Sequence, residues 1–225
     1  MNRNKLNLRN KMKTALILGA TGLVGKEVLK QALEDPIYSR VKIIVRSPQE
    51  IQHSKLEELV IDFRKMEQYE NEFAADHIYC CLGTTIKKAK SKEKFRLVDY
   101  EYPLLAARLS KGRAEKFLII SAQGANANSP FFYNKIKGEL ERDLIALGLP
   151  NLIIFRPSLL LGDRKEERPM EKIAGKMMRI INPLFSGPLK KYAAIEASYV
   201  AECMISSAKG IFLFEDLEVL RFPSN

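Results

Sequence analysis

Residues 14–34 read TALILGATGLVGKEVLKQALE, and this segment decides the fold. Its first six residues form a nearly continuous apolar run, which is typical of a β-strand buried on both faces. Glycines follow at positions 19, 22 and 25, and a helical pattern of apolar residues runs from 23 to 34. Such a turn lets the backbone approach a pyrophosphate, while the start of the helix offers free N–H donors. The segment therefore predicts a dinucleotide site, with a purely structural turn as the alternative.

Further apolar runs, rich in branched side chains, recur along the chain. They lie at 41–45, 58–62, 77–82, 117–121 and 151–155. Helical patterns occupy 92–111 and 130–147 between them. This alternation predicts an α/β fold with right-handed crossovers, in which a doubly wound parallel sheet carries helices on both faces.

The pattern loosens after Pro157. It predicts helices at 170–181 and 196–208 and a last strand near 211–214. This part is too short to form a core of its own, so we expect a small C-terminal elaboration on the substrate side, at the open end of the sheet where ligands bind. Residues 14–225 are accordingly predicted to form one domain.

The composition is basic, because 37 Lys and Arg residues against 27 Asp and Glu residues give 225 residues a formal net charge of +10. Residues 1–13 hold five of these cations and no acid, and they are predicted to be a disordered tail. The tail is either native or an extended or misassigned start. No basic face with stacking aromatics accompanies the charge, so we expect no nucleic-acid partner. No apolar stretch approaches the roughly 20 residues of a membrane span, so we expect no membrane partner.

The cysteines and histidines indicate neither a disulfide framework nor a metal site. Of the three cysteines, Cys80 and Cys81 are adjacent in a predicted strand and would point to opposite faces. This usage favours a reducing cytoplasm. His53 and His77 are the only histidines, and no Cys/His spacing fits zinc, so no metal is predicted.

Arg46 ends the second predicted strand, which reads IIVR at 43–46. An acidic residue at this place would bind the adenosine 2′-hydroxyl of NAD, but the chain has no Asp or Glu between 36 and 49. An arginine suits the 2′-phosphate of NADP instead. NADP is therefore favoured over NAD, and an ordinary surface arginine is the alternative.

Tyr133 and Lys137 lie four residues apart in the predicted helix 130–147 and so share one face. A nearby ammonium favours the phenolate, which lets a tyrosine pass a proton to or from a substrate oxygen. Ser121 ends the fifth predicted strand, where its hydroxyl can hold a substrate carbonyl. The alternative is a helix and a strand end without chemistry. Ser129 and Pro130 are predicted to supply the N-cap and the first residue of the helix.

Several of these motifs together resemble one superfamily. The glycine turn, Ser121, the Tyr133/Lys137 pair and the segment RPSLLLG at 156–162 resemble the short-chain dehydrogenase/reductase superfamily, which implies a Rossmann-like fold. Finer features resemble its atypical branch, which includes the Tat-interacting-protein-like oxidoreductases: CCLGTT at 80–85, KGELE at 137–141 and FRPSLLLGDRKEERP at 155–169.

The resemblance implies roles for individual residues. Ser121 would steady the carbonyl, Tyr133 would be the general acid/base, and Lys137 would lower the pKa of that tyrosine and bind the nicotinamide ribose. Many members carry an Asn where this chain has Asp99. The cofactor-binding set would be Gly19, Thr21, Gly22, Leu23, Val24 and Gly25 at the pyrophosphate, Arg46 at the 2′-phosphate, Asp62 and Phe63 at the adenine, Leu82, Gly83 and Thr84 beneath the ribose and nicotinamide, Tyr133, Lys137, and Pro157 with the residues after it against the nicotinamide.

These observations lead to an NADP-dependent oxidoreductase that acts on a carbonyl or alcohol of a small molecule. A non-catalytic NADPH-binding sensor or interaction protein is one alternative, and an epimerase or isomerase that uses bound NADP is another. A basic stretch after Thr85 either steers an anionic ligand or is a solvated loop and helix start. It comprises Lys87, Lys88, Lys90, Lys92, Lys94 and Arg96.

Overall fold

The structure is a computed structural model that describes residues 12–162, 193–212, 214 and 216–223. Elements are numbered in chain order over these residues. The strands are β1 (Lys13–Leu18), β2 (Tyr38–Val45), β3 (Leu56–Val60), β4 (His77–Cys80), β5 (Lys116–Ile120), β6 (Leu152–Arg156), β7 (Leu160–Leu161), β8 (Ile195–Glu196) and β9 (Glu218–Phe222). The α-helices are α1 (Leu23–Glu34), α2 (Ile86–Ala89), α3 (Lys92–Arg96), α4 (Tyr102–Ser110), α5 (Phe132–Ala146) and α6 (Ala197–Ala208). A 3₁₀ segment (Phe63–Phe73) and a π-helical turn (Leu97–Glu101) complete them.

Seven of the described strands form a mostly parallel sheet in the order β3-β2-β1-β4-β5-β6-β9, and β7 and β8 form a separate parallel pair. Only the pairing of β9 with β6 is antiparallel within this sheet. The predicted doubly wound α/β fold is confirmed. Strand order reverses between β1 and β4, and in open sheets of this kind ligands bind beyond the carboxyl ends of the strands at that point.

Alternating strand residues build an apolar core on each face of the sheet. On one face Ile17, Ile43 and Tyr79 pack with helices α1 and α6. On the other face Leu16, Ile44 and Ile78 pack with α4, α5 and the 3₁₀ segment. Nearly continuous apolar runs are needed because the central strands are covered on both sides.

Three details of the predicted fold are wrong. β3 was expected to be buried on both faces, but it is the edge strand and Glu57, Glu58 and Val60 are exposed. The last strand is Glu218–Phe222 rather than 211–214, since it is Glu218–Phe222 that pairs with β6 at the edge of the sheet. Helix α6 packs against α1 on a face of the sheet, not on its open end.

Other predictions are refined or lie outside the described residues. The helix expected at 92–111 is divided into α3, the π-helical turn and α4. The predicted helix at 170–181, with Met170, Met177 and Met178, and residues 1–11 of the predicted tail fall outside the described part of the chain. Among the described residues, no helix is both long and apolar enough to cross a membrane.

Candidate cofactor and substrate site

The turn between β1 and α1 tolerates only glycine at two positions. Gly19 has φ +81°, and a Cβ there would lie 2.5 Å from the Cys81 carbonyl oxygen. A Cβ on Gly25 would lie 2.0 Å from the carbonyl oxygen of Gly19. The Gly22 N–H donates to the same oxygen at 2.9 Å, and no side chain caps the start of α1. The turn therefore packs tightly behind a helix N-terminus whose N–H groups are available to an anion.

A cleft of about 630 Å³ opens in front of this turn, at the carboxyl ends of β1, β4 and β5. Most of the residues predicted from the sequence line it. The lining comprises Thr21, Gly22, Leu23, Val24, Lys26, Cys81, Leu82, Gly83, Thr84, Thr85, Ile86, Lys88, Asp99, Ile120, Ser121, Tyr133, Lys137, Ser158, Leu159 and Leu160. The structure thus places the glycine turn and the Ser/Tyr/Lys set in one cleft.

Ser121 follows the last residue of β5, and its N–H donates to the Phe155 carbonyl oxygen at 2.7 Å. Its Oγ is buried in the cleft wall without a hydrogen-bond partner among the described residues. Ser207 shares this property, but it lies on α6, outside the cleft lining. A buried hydroxyl without a partner costs about 1–3 kcal/mol, so a ligand oxygen in the cleft would satisfy Ser121.

Tyr133 and Lys137 both lie on α5 and face the cleft, but they differ in exposure. The Tyr133 side chain is 40% exposed at the cleft mouth, and its ring centroid lies 5.8 Å from that of Phe95. Lys137 is buried. The expected cap is wrong: α5 begins at Phe132 after Phe131, and the Ser129 Oγ accepts from the Phe131 N–H instead.

The Lys137 ammonium is paired inside the protein. Its Nζ lies 2.9 Å from Oδ1 of Asp99, which is itself buried. Burial by itself would lower the pKa of Lys137, but the attraction of Asp99 outweighs it and the pKa is raised. The other Asp99 oxygen accepts from the Thr84 N–H at 2.8 Å. The sequence singled out Asp99 only as a departure from the family pattern, because nothing in its spacing connects it to Lys137.

The residues predicted at the adenosine end lie outside the cleft lining. Arg46 is exposed just after β2, and Asp62 follows β3 at the same edge of the sheet. The Arg64 guanidinium donates to both oxygens of Asp62 and lowers the pKa of that carboxyl to about 2. Phe63 is buried with its ring 5.5 Å from that of Tyr102. These predicted residues lie beyond the neighbouring strands β2 and β3, and of the three only Arg46 is exposed.

Two further stretches form part of the cleft wall, and the first of them, after Pro157, was expected from the family resemblance. Pro157 is buried behind the wall, while the next three residues, 158–160, line it. Lys88 and Ile86 of α2 line the opposite side. The basic stretch in the sequence indicated Lys88. Ile86 could not be identified in the same way, because in sequence an apolar residue that lines a cleft looks like any other apolar residue.

Comparison with known proteins shows the family and the fold. The NAD(P)H-binding family model matches residues 19–171. Protein HTATIP2 of Rattus norvegicus is 38% identical over 169 residues, which cover 73% of this chain and 69% of the rat protein. Protein FMP52-1, mitochondrial, of Scheffersomyces stipitis is 31% identical over 217 residues, covering 93% and 94% of the two chains.

Solved structures of low sequence identity share the fold. The Bordetella bronchiseptica enzyme WbmH in complex with NAD+ has a TM-score of 0.65 at 15% identity, over 89% of this chain and 73% of that one. A short chain dehydrogenase family protein from Francisella tularensis has a TM-score of 0.62 at 13% identity, over 90% and 95%. Fold and cleft define an NAD(P)H-binding protein with a Rossmann-like fold. The chain belongs to the atypical branch of the short-chain dehydrogenase/reductase superfamily, with HTATIP2 and FMP52 among its relatives.

Proposed function

We propose that the protein is an NADP-dependent oxidoreductase of the short-chain type that acts on a carbonyl or alcohol of a small molecule. One observation carries the proposal: the Ser121 hydroxyl, which has no hydrogen-bond partner in the described part of the chain, lies in the same cleft as Tyr133, Lys137 and the glycine turn. A purely structural cleft would gain nothing from a buried hydroxyl without a partner.

The residues fit a dinucleotide and a substrate carbonyl side by side. The N–H groups at the start of α1 suit the pyrophosphate, and the backbone at Leu82, Gly83 and Thr84 provides a floor for the ribose and nicotinamide. When bound, the nicotinamide supplies or accepts the hydride. Ser121 then donates to the substrate oxygen and orients it, while Tyr133 gives a proton to that oxygen or takes one from it. Leu159 and Leu160 add apolar surface to the wall.

Arg46 supports NADP as the preferred cofactor. It lies beyond the carboxyl end of β2, free of an acidic neighbour in sequence, at the edge where the adenosine 2′-substituent is bound in dinucleotide folds. Arg64 adds a second cation beside Asp62 at the same edge. An Arg46→Ala variant should therefore lose affinity for NADPH by about tenfold while affinity for NADH stays the same. Equal affinities of the wild-type protein for NADPH and NADH would contradict this preference.

The test of the catalytic role compares two tyrosines. With NADPH and a panel of aldehydes and ketones, Tyr133→Phe should reduce turnover by at least about 100-fold, because the proton donor is removed. Its NADPH affinity should change by less than about threefold. Tyr199→Phe, on α6 outside the cleft lining, is the matched control and should turn over like wild type. A Tyr133→Phe protein as fast as wild type would refute the assigned role.

NADPH binding without turnover is the second candidate, and the Asp99–Lys137 pair favours it. The buried carboxylate balances the charge of the ammonium, so less of that charge is available to favour the Tyr133 phenolate. A protein of this kind would bind NADPH with a clear preference over NADH, yet oxidise it with no carbonyl compound in the panel. Conversion of an alcohol epimer without change in cofactor absorbance would instead indicate an epimerase.

The proposed partner is a small molecule, and the proposed compartment is the cytoplasm. The described cysteines Cys80, Cys81 and Cys203 form no disulfide framework, which is the usage typical of proteins in a reducing compartment. The FMP52 relatives carry the word mitochondrial in their names. Fractionation of cells that produce the tagged protein would decide between the two compartments.

A further inference from the structure

The Asp99–Lys137 pair is among the most deeply buried ion pairs in the described part of the chain. The two side chains are 1% and 4% exposed, and Nζ and Oδ1 lie 2.9 Å apart. Most other described ion pairs have at least one partner more than one-third exposed. Burying two charges costs several kcal/mol for each ion and is repaid only when the geometry and the hydrogen bonds are good.

The chain distorts a helix at the residue that supplies this carboxylate. Asp99 is in the middle of the π-helical turn Leu97–Glu101, between α3 and α4, which otherwise continue each other. Single π turns inside helices are rare and are frequent at functional sites. From this turn Asp99 reaches both the Lys137 ammonium and the Thr84 N–H. A Cβ on Gly83 would lie 3.4 Å from Oδ1, which places this loop residue in direct contact range of the carboxylate.

We propose that Asp99 is a positioning residue of the cofactor site, which keeps the buried Lys137 ammonium protonated and ties it to the loop that carries Thr84. The inference rests on the proposed function in one respect, because it assumes that Lys137 binds the dinucleotide. Asp99 itself acts through Lys137 and through the Thr84 backbone.

The charges around Lys137 explain why a carboxylate is needed. The titratable groups that face its ammonium are Asp99, Tyr133 and Cys80. Burial raises the pKa of Cys80 to about 12, so this thiol carries no charge at neutral pH. Without Asp99, burial would act on Lys137 unopposed and favour its neutral form. Desolvation lowers the pKa of fully buried lysines by several pH units.

The test measures cofactor affinity rather than turnover. Titration calorimetry with NADP+ is carried out from pH 5.5 to 9.5 on Tyr133→Phe protein, so that ionisation of the phenol does not contribute. The affinity of this parent should change by less than about twofold between pH 7 and 9.5. Adding Asp99→Asn keeps the size of the side chain but removes the charge. Its affinity deficit should grow with pH and reach at least about tenfold at pH 9.5.

Two control variants separate positioning from general damage. Glu141 lies one turn further along α5 and is also buried, in an ion pair with Arg156 outside the cleft lining. Glu141→Gln should lower the melting temperature but leave the pH dependence of NADP+ affinity unchanged. In a Lys137→Met background, Asp99→Asn should have no pH-dependent effect, because the group that it protects is absent.

Parallel pH curves for Asp99→Asn and its parent would overturn the proposal. If Asp99→Asn does not fold, the parent and its Lys137→Met derivative decide the question. A parent whose affinity falls between pH 7 and 9.5, with a flat curve after Lys137→Met, would show that Asp99 does not keep the lysine charged. A protein that binds NADP+ but turns over no carbonyl would overturn only the oxidoreductase proposal, whereas one that binds no NADP+ would overturn both.

Discussion

The two ends of the central sheet both bury polar groups, but they satisfy them differently. At the amino end, Tyr38 Oη lies 2.8 Å from Nδ1 of His77 and 2.5 Å from Oη of Tyr79, so the three side chains satisfy one another. At the carboxyl end, the Ser121 hydroxyl has no partner among the described residues, and the Asp99–Lys137 pair borders an open cleft. The amino-end side chains are hydrogen-bonded to one another, whereas the Ser121 hydroxyl at the carboxyl end is available to a ligand.

This difference separates structural polar groups from functional ones better than burial alone does. His77 and Ser121 are both almost fully buried, at 2% and 4% exposed. A hydrogen-bonded network in the interior stabilises a unique packing, whereas an unsatisfied group lowers stability until a ligand completes it. Predictions that treat the two ends separately therefore test the comparison directly.

The largest expected effect concerns His77 and acid stability. Burial lowers its pKa to about 4, with the nearby Lys116 and Lys13 acting in the same direction. Below pH 6.5 the unfolded chain takes up a proton that the folded chain resists, so the free energy of unfolding should fall by roughly 3 kcal/mol between pH 6.5 and 4 through this residue. Urea unfolding of wild type and His77→Gln at pH 7, 5.5 and 4 measures it. The difference between the two proteins should shrink as the pH falls, and parallel curves would contradict the prediction.

Ser121→Ala should give the opposite pattern, with function lost and stability kept. Removal of an unpartnered buried hydroxyl should leave the free energy of unfolding unchanged or raise it by up to about 1 kcal/mol. Turnover of a carbonyl substrate should fall by about 100-fold, because one donor to the substrate oxygen is missing. Thermal unfolding and steady-state kinetics measure the two quantities. A clear loss of stability with normal turnover would show that Ser121 has a structural role, like the polar side chains at the amino end.

The smallest effect is expected from Tyr79→Phe at the amino end. One hydrogen bond is lost, while Tyr38 keeps its bond to His77, so the free energy of unfolding should fall by about 1 kcal/mol. NADP+ affinity should be the same as in wild type, since Tyr79 lies outside the cleft lining. A change in affinity of more than about threefold would show that the two ends are coupled.

The central strands were predictable because burial on both faces demands continuous apolar runs. β1 and β4–β6 follow such runs, and α1 matches its predicted bounds. The edges were not predictable in the same way. β3 is Leu56–Val60 with exposed Glu57 and Glu58, whereas a buried strand was expected at 58–62, and β9 takes the place expected for 211–214. Which segment lies at an edge depends on strand order, and a local pattern does not contain that order.

The site residues also differ in how far they could be predicted from local sequence. Residues whose chemistry depends on a local turn or on spacing within one helix were predicted: the glycine turn, Tyr133 and Lys137 all lie at the cleft. An apolar residue that reaches the cleft from a separate element, Ile86 of α2, was missed. Arg46, Asp62 and Phe63 lie beyond neighbouring strands but outside the cleft lining.

By itself, the sequence determined the parallel sheet, the dinucleotide turn and the Ser/Tyr/Lys set, because each follows from residue type and spacing over a few turns of chain. Tertiary structure alone decided the partner of Lys137. Asp99 is 38 residues away in sequence, and only the π-helical turn and the packing of α5 bring its carboxylate to 2.9 Å from the ammonium. The charge state of a buried group depends on what surrounds it in space, and that was settled when distant elements packed together.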